Sequence, residues 1–427
     1  MLQVISNAIL REQLLTAKLN NGLTVYMLPR PGFNKQYAIF ATNYGSIDNS
    51  FINPATGQEV NVPDGIAHFL EHKLFVGEEQ DAFSRFAQLG ASANAYTNYV
   101  NTAYLFNSSE KFEDSLENLL NFVQSPFFNE ENVEKEKGII AQEISMYDDQ
   151  PNYQVFYNLL QGLYYHHPVK IDIAGTLASI EKINKELLYL CYNTFYHPGN
   201  MLLFLTGDFN PEQLLRTIMD NQQSKDYPKW KGIKRLIPTE PASVYKKVIK
   251  EVMDVSIPLF QLGFKETKLP VNPRELVKQE ITSEMLFEIL VGKGSKLYQT
   301  LYEQGLLDDH FHYYYTLGKG YGYLAMGGES RKPEELYPKL LAGLKDGEKC
   351  LKEEVVQRQI RQFIGDYIEN FNSLSTLSAE FVSYFFRGIN YLDILEIIRG
   401  IKLSDLKERF KELVREEQAV SSIITSD

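Results

Sequence analysis

Two histidines and a glutamate lie close together in the chain, with a spacing that suits catalysis at a metal ion. His68 and His72 are four residues apart, so an α-helix would place both imidazoles on one face, one turn apart, where they can reach the same ion. Glu71 directly precedes His72 and would project beside the rings, where it can take a proton from a metal-activated water. The pattern His-x-x-Glu-His therefore predicts a metal site with an adjacent general base.

A further ligand must come from elsewhere, because two histidines are too few for zinc. Catalytic zinc sites commonly have three protein ligands, often including a carboxylate, and keep the fourth position for water. Glu136 and Glu143 are seven residues apart in a predicted helix over residues 130–147, so two helical turns place them on one face. This is the pattern expected of one ligand and one carboxylate that supports the ligands from behind.

The alternative is that these histidines have no chemical role. A histidine on an apolar helix face is usually a packed or surface residue, and the five-residue pattern arises by chance in about one such chain in a hundred. The motif, however, lies in an apolar run that contains Ile66, Phe69, Leu70, Leu74 and Phe75, as a buried site requires. The motif and its context together favour the metal site.

The segment Gly65-Ile66-Ala67-His68-Phe69-Leu70-Glu71-His72-Lys73-Leu74-Phe75 resembles the signature of the pitrilysin and mitochondrial-processing-peptidase family of zinc proteases, whose motif order is called inverzincin. The segment from Glu136 to Glu143 is similar to that family's distal zinc-ligand helix. The resemblance implies one zinc ion per chain, bound by His68, His72 and Glu143. It implies Glu71 as the catalytic base, and Glu136 as a residue that orients the ligands or helps to position a proton.

The resemblance also implies a substrate-binding strand at Ala93, Asn94, Ala95 and Tyr96. Small residues dominate residues 91–98, which is unusual for a core strand. In the family a similar segment forms an edge strand beside the zinc, where a peptide substrate adds as a further strand through its backbone. The alternative is an ordinary edge strand with small side chains. The expected activity is a metalloendopeptidase that hydrolyses short or unfolded peptides inside an enclosed chamber.

Several other elements are predicted to position these residues. Asn21-Gly22, between short apolar stretches of residues 18–28, predicts a tight β-hairpin, and residues 37–44 and 102–107 predict strands. Asp64 is a candidate N-cap for the motif helix.

Composition and charge limit the possible partners and locations. The net charge of −12 argues against a nucleic-acid partner, which would need a basic face. The two cysteines, Cys191 and Cys350, form no CxxC pair and suit a reducing compartment. We find neither a signal-peptide pattern nor an apolar run long enough to span a bilayer, and we expect a cytoplasmic protein without a membrane partner.

The fold class expected is α+β, with two similar domains that each consist of a largely antiparallel sheet covered by helices. The polar, proline-containing stretch at 221–242 predicts a linker. It would separate a zinc-binding catalytic domain at 1–220 from a related domain without a metal site at 243–427. No residue-level repeat is evident, so the duplication is implied by the resemblance alone.

One departure from the family concerns the second half of the chain. Many members carry an arginine and a tyrosine there that hold the substrate backbone, but residues 301–309 contain no arginine. The departure suggests a dimer with a related zinc-free subunit that supplies the Arg/Tyr pair. Two rival functions remain open: a non-catalytic structural homologue, and a subunit dedicated to the maturation or export of one peptide.

Overall fold

A computed structural model describes residues 2–77 and 81–426. The strands are β1 (Gln3–Asn7), β2 (Glu12–Lys18), β3 (Thr24–Pro29), β4 (Gln36–Thr42), β5 (Ser50–Ile52), β6 (Glu59–Asn61), β7 (Ser92–Thr97), β8 (Thr102–Ser108), β9 (Met201–Gly207), β10 (Lys234–Arg235), β11 (Val248–Val252), β12 (Leu259–Lys265), β13 (His312–Gly318), β14 (Tyr321–Glu329) and β15 (Ala419–Thr425). The helices are α1 (Ile66–Leu74), α2 (Ala82–Gln88), α3 (Phe112–Val123), α4 (Glu130–Asp148), α5 (Pro151–Leu163), α6 (Leu177–Ile180), α7 (Lys185–Phe195), α8 (Pro211–Gln223), α9 (Pro273–Val291), α10 (Lys296–Glu303), α11 (Pro333–Lys345), α12 (Glu353–Glu369), α13 (Leu374–Phe386), α14 (Ile394–Arg399) and α15 (Leu403–Leu413).

The chain divides into two compact units. Unit 1 comprises residues 1–144, 172–236 and 368–392, and unit 2 comprises residues 145–171, 237–367 and 393–427. The change of unit at Leu236/Ile237 falls inside the predicted linker at 221–242. Two segments belong to the unit that is formed mainly by the other half of the chain. Residues 145–171 belong to unit 2, because α5 packs on β12 and β15. Residues 368–392 belong to unit 1, because α13 packs on β4 and β9.

The main sheet of unit 1 has seven strands in the order β1-β2-β3-β9-β4-β8-β7. Strands β3 and β9 pair in parallel and the other neighbours pair antiparallel. The hairpin predicted at Asn21-Gly22 is confirmed, with β2 and β3 on either side of it. Strand β9 is buried along its whole length, which matches its apolar sequence between two neighbours. Strand β7 forms one edge of the sheet, as predicted for residues 91–98.

The sheet of unit 2 repeats part of this topology. Its order is β11-β15-β12-β14-β13, with β11 and β15 parallel and the other pairs antiparallel. The same sequence of parallel and antiparallel pairs occurs in β3-β9-β4-β8-β7 of unit 1. Helix α9 packs against edge strand β13, just as α1 packs against edge strand β7. The predicted fold class, two similar α+β domains, is therefore confirmed.

A buried ion-pair cluster ties three segments of unit 2 together. The Glu240 carboxylate accepts hydrogen bonds from the backbone N–H groups of Tyr165, His166 and His167 at 2.7–2.9 Å, and from Lys265 Nζ at 2.7 Å. Burial alone would raise the pKa of Glu240, but these donors outweigh it and lower the pKa to about 2. A carboxylate with a depressed pKa contributes stability above its ordinary pKa, and that contribution is lost as the pH falls towards 2.

We expect Glu240→Gln to lower the free energy of unfolding by about 3 kcal/mol at pH 7, because it leaves the buried ammonium of Lys265 without its counter-charge. The difference from the parent protein should shrink between pH 4.5 and pH 2, as the parent's own carboxylate becomes protonated. Urea denaturation midpoints at pH 7 and pH 2.5 would measure both effects. Glu334→Gln removes the partner of an exposed lysine, Lys250, and serves as the control with little expected change. Equal midpoints for Glu240→Gln and the parent at pH 7 would contradict the prediction.

Among the described residues, no helix combines the length and the apolar character needed to cross a membrane.

Candidate metal centre and active site

Helix α1 begins at a tight approach between two loops. Gly65 precedes the helix with φ of 86°, and a Cβ added to it would lie 2.3 Å from the carbonyl oxygen of Ala174. Only glycine suits both the left-handed backbone and the close contact. The predicted N-cap at Asp64 is wrong: Gly65 occupies the cap position, and Asp64 Oδ1 instead accepts a hydrogen bond from Asn49 Nδ2 at 2.8 Å.

The two histidines and the distal glutamate converge, as the sequence predicts. On α1 the rings of His68 and His72 have centroids 4.5 Å apart. From α4, Glu143 places one carboxylate oxygen 3.8 Å from His68 Nε2 and the other 3.6 Å from His72 Nε2. Donor atoms of these three residues all lie within 4.8 Å of one another.

These separations fit a zinc ion. Tetrahedral coordination with bonds of about 2.1 Å places ligand atoms about 3.4 Å apart, close to the 3.6 Å and 3.8 Å between Glu143 and the two histidines. Burial and the neighbouring His72 lower the pKa of His68 to about 3, so its imidazole is neutral at pH 7, the form that binds metals. The donor set, two imidazoles and a carboxylate, matches a catalytic zinc site with an open position.

Glu136 lies on the other side of His72. Its Oε1 is 3.1 Å from His72 Nδ1, and its Oε2 is 3.4 Å from Lys73 Nζ. Burial tends to raise the pKa of Glu136, but the hydrogen bond with His72 and the charge of Lys73 outweigh burial and lower it. An ionised carboxylate at Nδ1 fixes the proton of His72 there and leaves Nε2 free to face Glu143. The structure thus separates the two glutamates of α4: Glu143 faces the donor cluster and Glu136 supports it.

Glu71 projects beside the donor cluster and is held by the edge strand. Its Oε2 accepts a hydrogen bond from Thr97 Oγ1 at 2.8 Å. Burial raises the pKa of Glu71, which moves a carboxylate towards the range in which it can both accept and return a proton near neutral pH. Thr97 is the last residue of β7, so the edge strand ends at the glutamate that the sequence predicts as the base.

The segment predicted to bind substrate occupies the open edge of the sheet. Ala93, Asn94, Ala95 and Tyr96 all lie in β7, and each is at least partly exposed. The Ala95 N–H donates to the side-chain Oδ1 of Asn94 at 2.9 Å rather than to strand β8. One edge donor is therefore satisfied by a side chain that an incoming strand can displace.

Two residues of the site were given no role of their own from the sequence. Thr97 belongs to the segment that resembles the family's edge strand, but its contact with Glu71 depends on how β7 meets α1 and carries no signal in the sequence. Lys73 does carry one: a lysine inside an apolar helical run, next to a metal-ligand pattern, is unusual because buried ammonium groups need partners.

A second group of donor atoms occurs in unit 2. Asp308, His310 and Glu329 have donor atoms within 4.8 Å of one another. The side chain of His310 is 78% exposed, and exposed acidic groups commonly lie near a histidine without binding metal. This geometry therefore gives no reason to assign His310 a role in metal binding.

Comparisons with known proteins agree with this geometry. The family model described as insulinase (peptidase family M16) matches residues 57–177, and the model described as the peptidase M16 inactive domain matches residues 182–363. An uncharacterised zinc protease of Bacillus subtilis is 42% identical over 403 residues, which cover 94% of each chain.

A structural relative and a eukaryotic relative extend the comparison. A crystal structure of an M16-like peptidase from Alicyclobacillus acidocaldarius superimposes with a TM-score of 0.94 at 37% identity, and covers 97% of this chain and 99% of its own. The mitochondrial-processing peptidase subunit beta of Neurospora crassa is 29% identical over 47% of this chain and 41% of its own. The chain therefore belongs to peptidase family M16, the pitrilysin and processing-peptidase family of zinc proteases.

Proposed function

We propose that this chain is a zinc-dependent endopeptidase that hydrolyses short or unfolded peptides, with one zinc ion bound by His68, His72 and Glu143. The observation that carries the proposal is the convergence of three suitable donor atoms beside a buried, hydrogen-bonded Glu71. A zinc ion in this position would supply an activated water at neutral pH and polarise the scissile carbonyl.

The residues of the chain then have distinct roles. Glu71 takes a proton from the attacking water and returns it to the leaving amine. Thr97 donates a hydrogen bond to one oxygen of Glu71 and so directs the other oxygen for proton transfer. Glu136 fixes the orientation of His72 through Nδ1.

We further propose that the peptide substrate adds to β7 as an extra strand. Backbone pairing binds an extended segment without reading its sequence, which suits a peptidase of flexible substrates. A carbonyl oxygen of the substrate would replace the Asn94 side chain as the hydrogen-bond acceptor for the Ala95 N–H. Folded proteins could not present an unpaired strand to this edge.

Ala95→Pro removes the donor at the edge without adding charge, and proline is tolerated on edge strands. We expect kcat/KM for a peptide substrate to fall about 10-fold, the effect of about 1.4 kcal/mol on binding, with zinc content unchanged. Asn94→Ala is the matched control, since it removes the competing acceptor and keeps the donor, and its KM should stay equal or fall. Unchanged kinetics for Ala95→Pro would rule out pairing at this position.

A split active site is the second candidate. The absence of arginine in residues 301–309, together with a relative that is named as a subunit, supports a dimer with a related zinc-free chain that completes substrate binding. The non-catalytic alternative is disfavoured, because the donor set is complete. We also propose a reducing, cytoplasmic location, which the two free cysteines support.

Zinc content and hydrolysis of a quenched fluorogenic peptide test these proposals together. Zinc with activity in the chain alone would establish a self-sufficient peptidase. Zinc without activity, until a related subunit lacking the His-x-x-Glu-His motif is added, would establish the split site. If protein that was never exposed to a chelator contains no zinc, the enzyme proposal is wrong and the non-catalytic structural homologue is the better interpretation.

A further inference from the structure

Lys73 is a charged residue on the buried side of the motif helix. Its side chain is 2% exposed, and its ammonium lies 3.4 Å from Glu136 Oε2. A buried ammonium group costs several kcal/mol unless it is paired, so its presence beside the ligand His72 needs a reason. Burial also lowers the pKa of Lys73, because removal from water disfavours the charged form of an ammonium group.

The Glu136 carboxylate is shared between two neighbours on the same helix. Oε1 lies 3.1 Å from His72 Nδ1, while Oε2 lies near Lys73 Nζ. A carboxylate held at one oxygen can still rotate about its last bond. Contacts at both oxygens fix its plane, and with it the direction from which it holds the imidazole of His72.

The charges of the site also balance around this lysine. Glu71, Glu136 and Glu143, when ionised, carry three negative charges within a small volume. A divalent cation and the ammonium of Lys73 together neutralise all three, whereas an apolar residue at position 73 would leave one carboxylate without compensation.

We propose that Lys73 is a positioning residue of the metal centre, which holds Glu136 so that Glu136 keeps the Nε2 atom of His72 directed at the metal. This inference rests on the proposed zinc site and adds a residue to it. Lys73 touches neither the donor cluster nor the reacting atoms, and acts only through Glu136.

Zinc affinity, measured by competition with a chromogenic chelator, tests the inference without using activity. We expect Lys73→Met to raise the zinc dissociation constant 10- to 100-fold, the usual effect of losing a residue that orients a ligand. Lys73→Arg should restore most of the affinity, because it returns a cation to Glu136. In a Glu136→Gln background Lys73→Met should cause little further loss, because the residue through which it acts is already altered.

Lys137 supplies a matched control on the neighbouring helix. It is also a largely buried lysine, but its ammonium contacts Glu134 and the carbonyl oxygen of Glu181. Lys137→Met should lower stability and leave the zinc dissociation constant unchanged. The visible spectrum of the cobalt-substituted protein should change in Lys73→Met and not in Lys137→Met, since it reports the geometry of the ligands.

The possible outcomes separate the two proposals. If the parent protein binds zinc and Lys73→Met binds it equally well or more tightly, the positioning role is wrong while the zinc site stands. If Lys73→Met lowers the zinc affinity as much in the Glu136→Gln background as in the parent protein, Lys73 does not act through Glu136. If the parent protein binds no zinc, the proposed function itself fails. Should Lys73→Met not fold, Lys73→Gln takes its place, with the same expected direction and the same overturning result.

Discussion

Glu71→Gln is expected to reduce kcat/KM by about 10³-fold while the zinc content stays at that of the parent protein. The amide keeps the size of the carboxylate and can still accept the hydrogen bond from Thr97, but it cannot take a proton from water. General acid–base catalysis contributes about 10²- to 10⁴-fold to such reactions, and here one group has to move the proton twice. Zinc content and hydrolysis of a fluorogenic peptide are measured on the same preparation.

The control for Glu71→Gln is Glu131→Gln, which changes an exposed carboxylate in the first turn of α4. It makes the same chemical change outside the site and should retain full activity. If Glu71→Gln hydrolysed the peptide at the parent rate with metal still bound, proton transfer would have to be assigned to another group.

Zinc binding by two further variants is expected to distinguish the two glutamates of α4. Glu143→Ala should abolish stoichiometric zinc binding, because it removes the carboxylate that lies within 3.8 Å of both Nε2 atoms. Glu136→Ala should still bind zinc but with an affinity lowered 10- to 100-fold, because the substitution removes the group that orients His72. Metal analysis after dialysis, and chelator competition for the variant that retains zinc, measure the two effects.

Each of these variants is the control for the other, since both remove one carboxylate from the same helix face. Similar unfolding temperatures would show that neither effect arises from loss of the helix. If the result were reversed, with zinc lost from Glu136→Ala and retained in Glu143→Ala, the assignment of ligand and supporting residue would have to be exchanged.

Periodicity alone carries much of the information about which of the predicted metal ligands come together. The four-residue spacing of His68 and His72 and the seven-residue spacing of Glu136 and Glu143 each determine a helix face, and α1 and α4 turn those faces towards one another. Spacing could not tell which glutamate faces the histidines. That depends on how α4 is rotated against α1, which is set by packing over the whole core.

Features that depend on contacts between distant segments could not be predicted. Gly65 and not Asp64 is the N-cap, and Ala174 approaches Gly65 so closely that no side chain fits there. Nothing near Asp64 in the sequence signals that approach. Helix α5 begins at Pro151, soon after α4 ends at Asp148, yet it packs in unit 2, where Gly263 allows the side chain of Leu159 to approach the sheet. The apolar face of a helix indicates that it is buried, but not against which sheet.

The strand order that the two units share has a consequence for the side chains that each unit can carry. In unit 2, helix α9 lies against edge strand β13 and carries Glu284 and Glu288, four residues apart, on a cavity of about 550 Å³ that is also lined by His312 and Tyr313. The corresponding helix α1 of unit 1 carries two imidazoles, His68 and His72, against its own edge strand β7. The same arrangement of helix and edge strand therefore holds a different set of polar side chains in each unit, so this framework does not dictate the chemistry of the helix that packs on it.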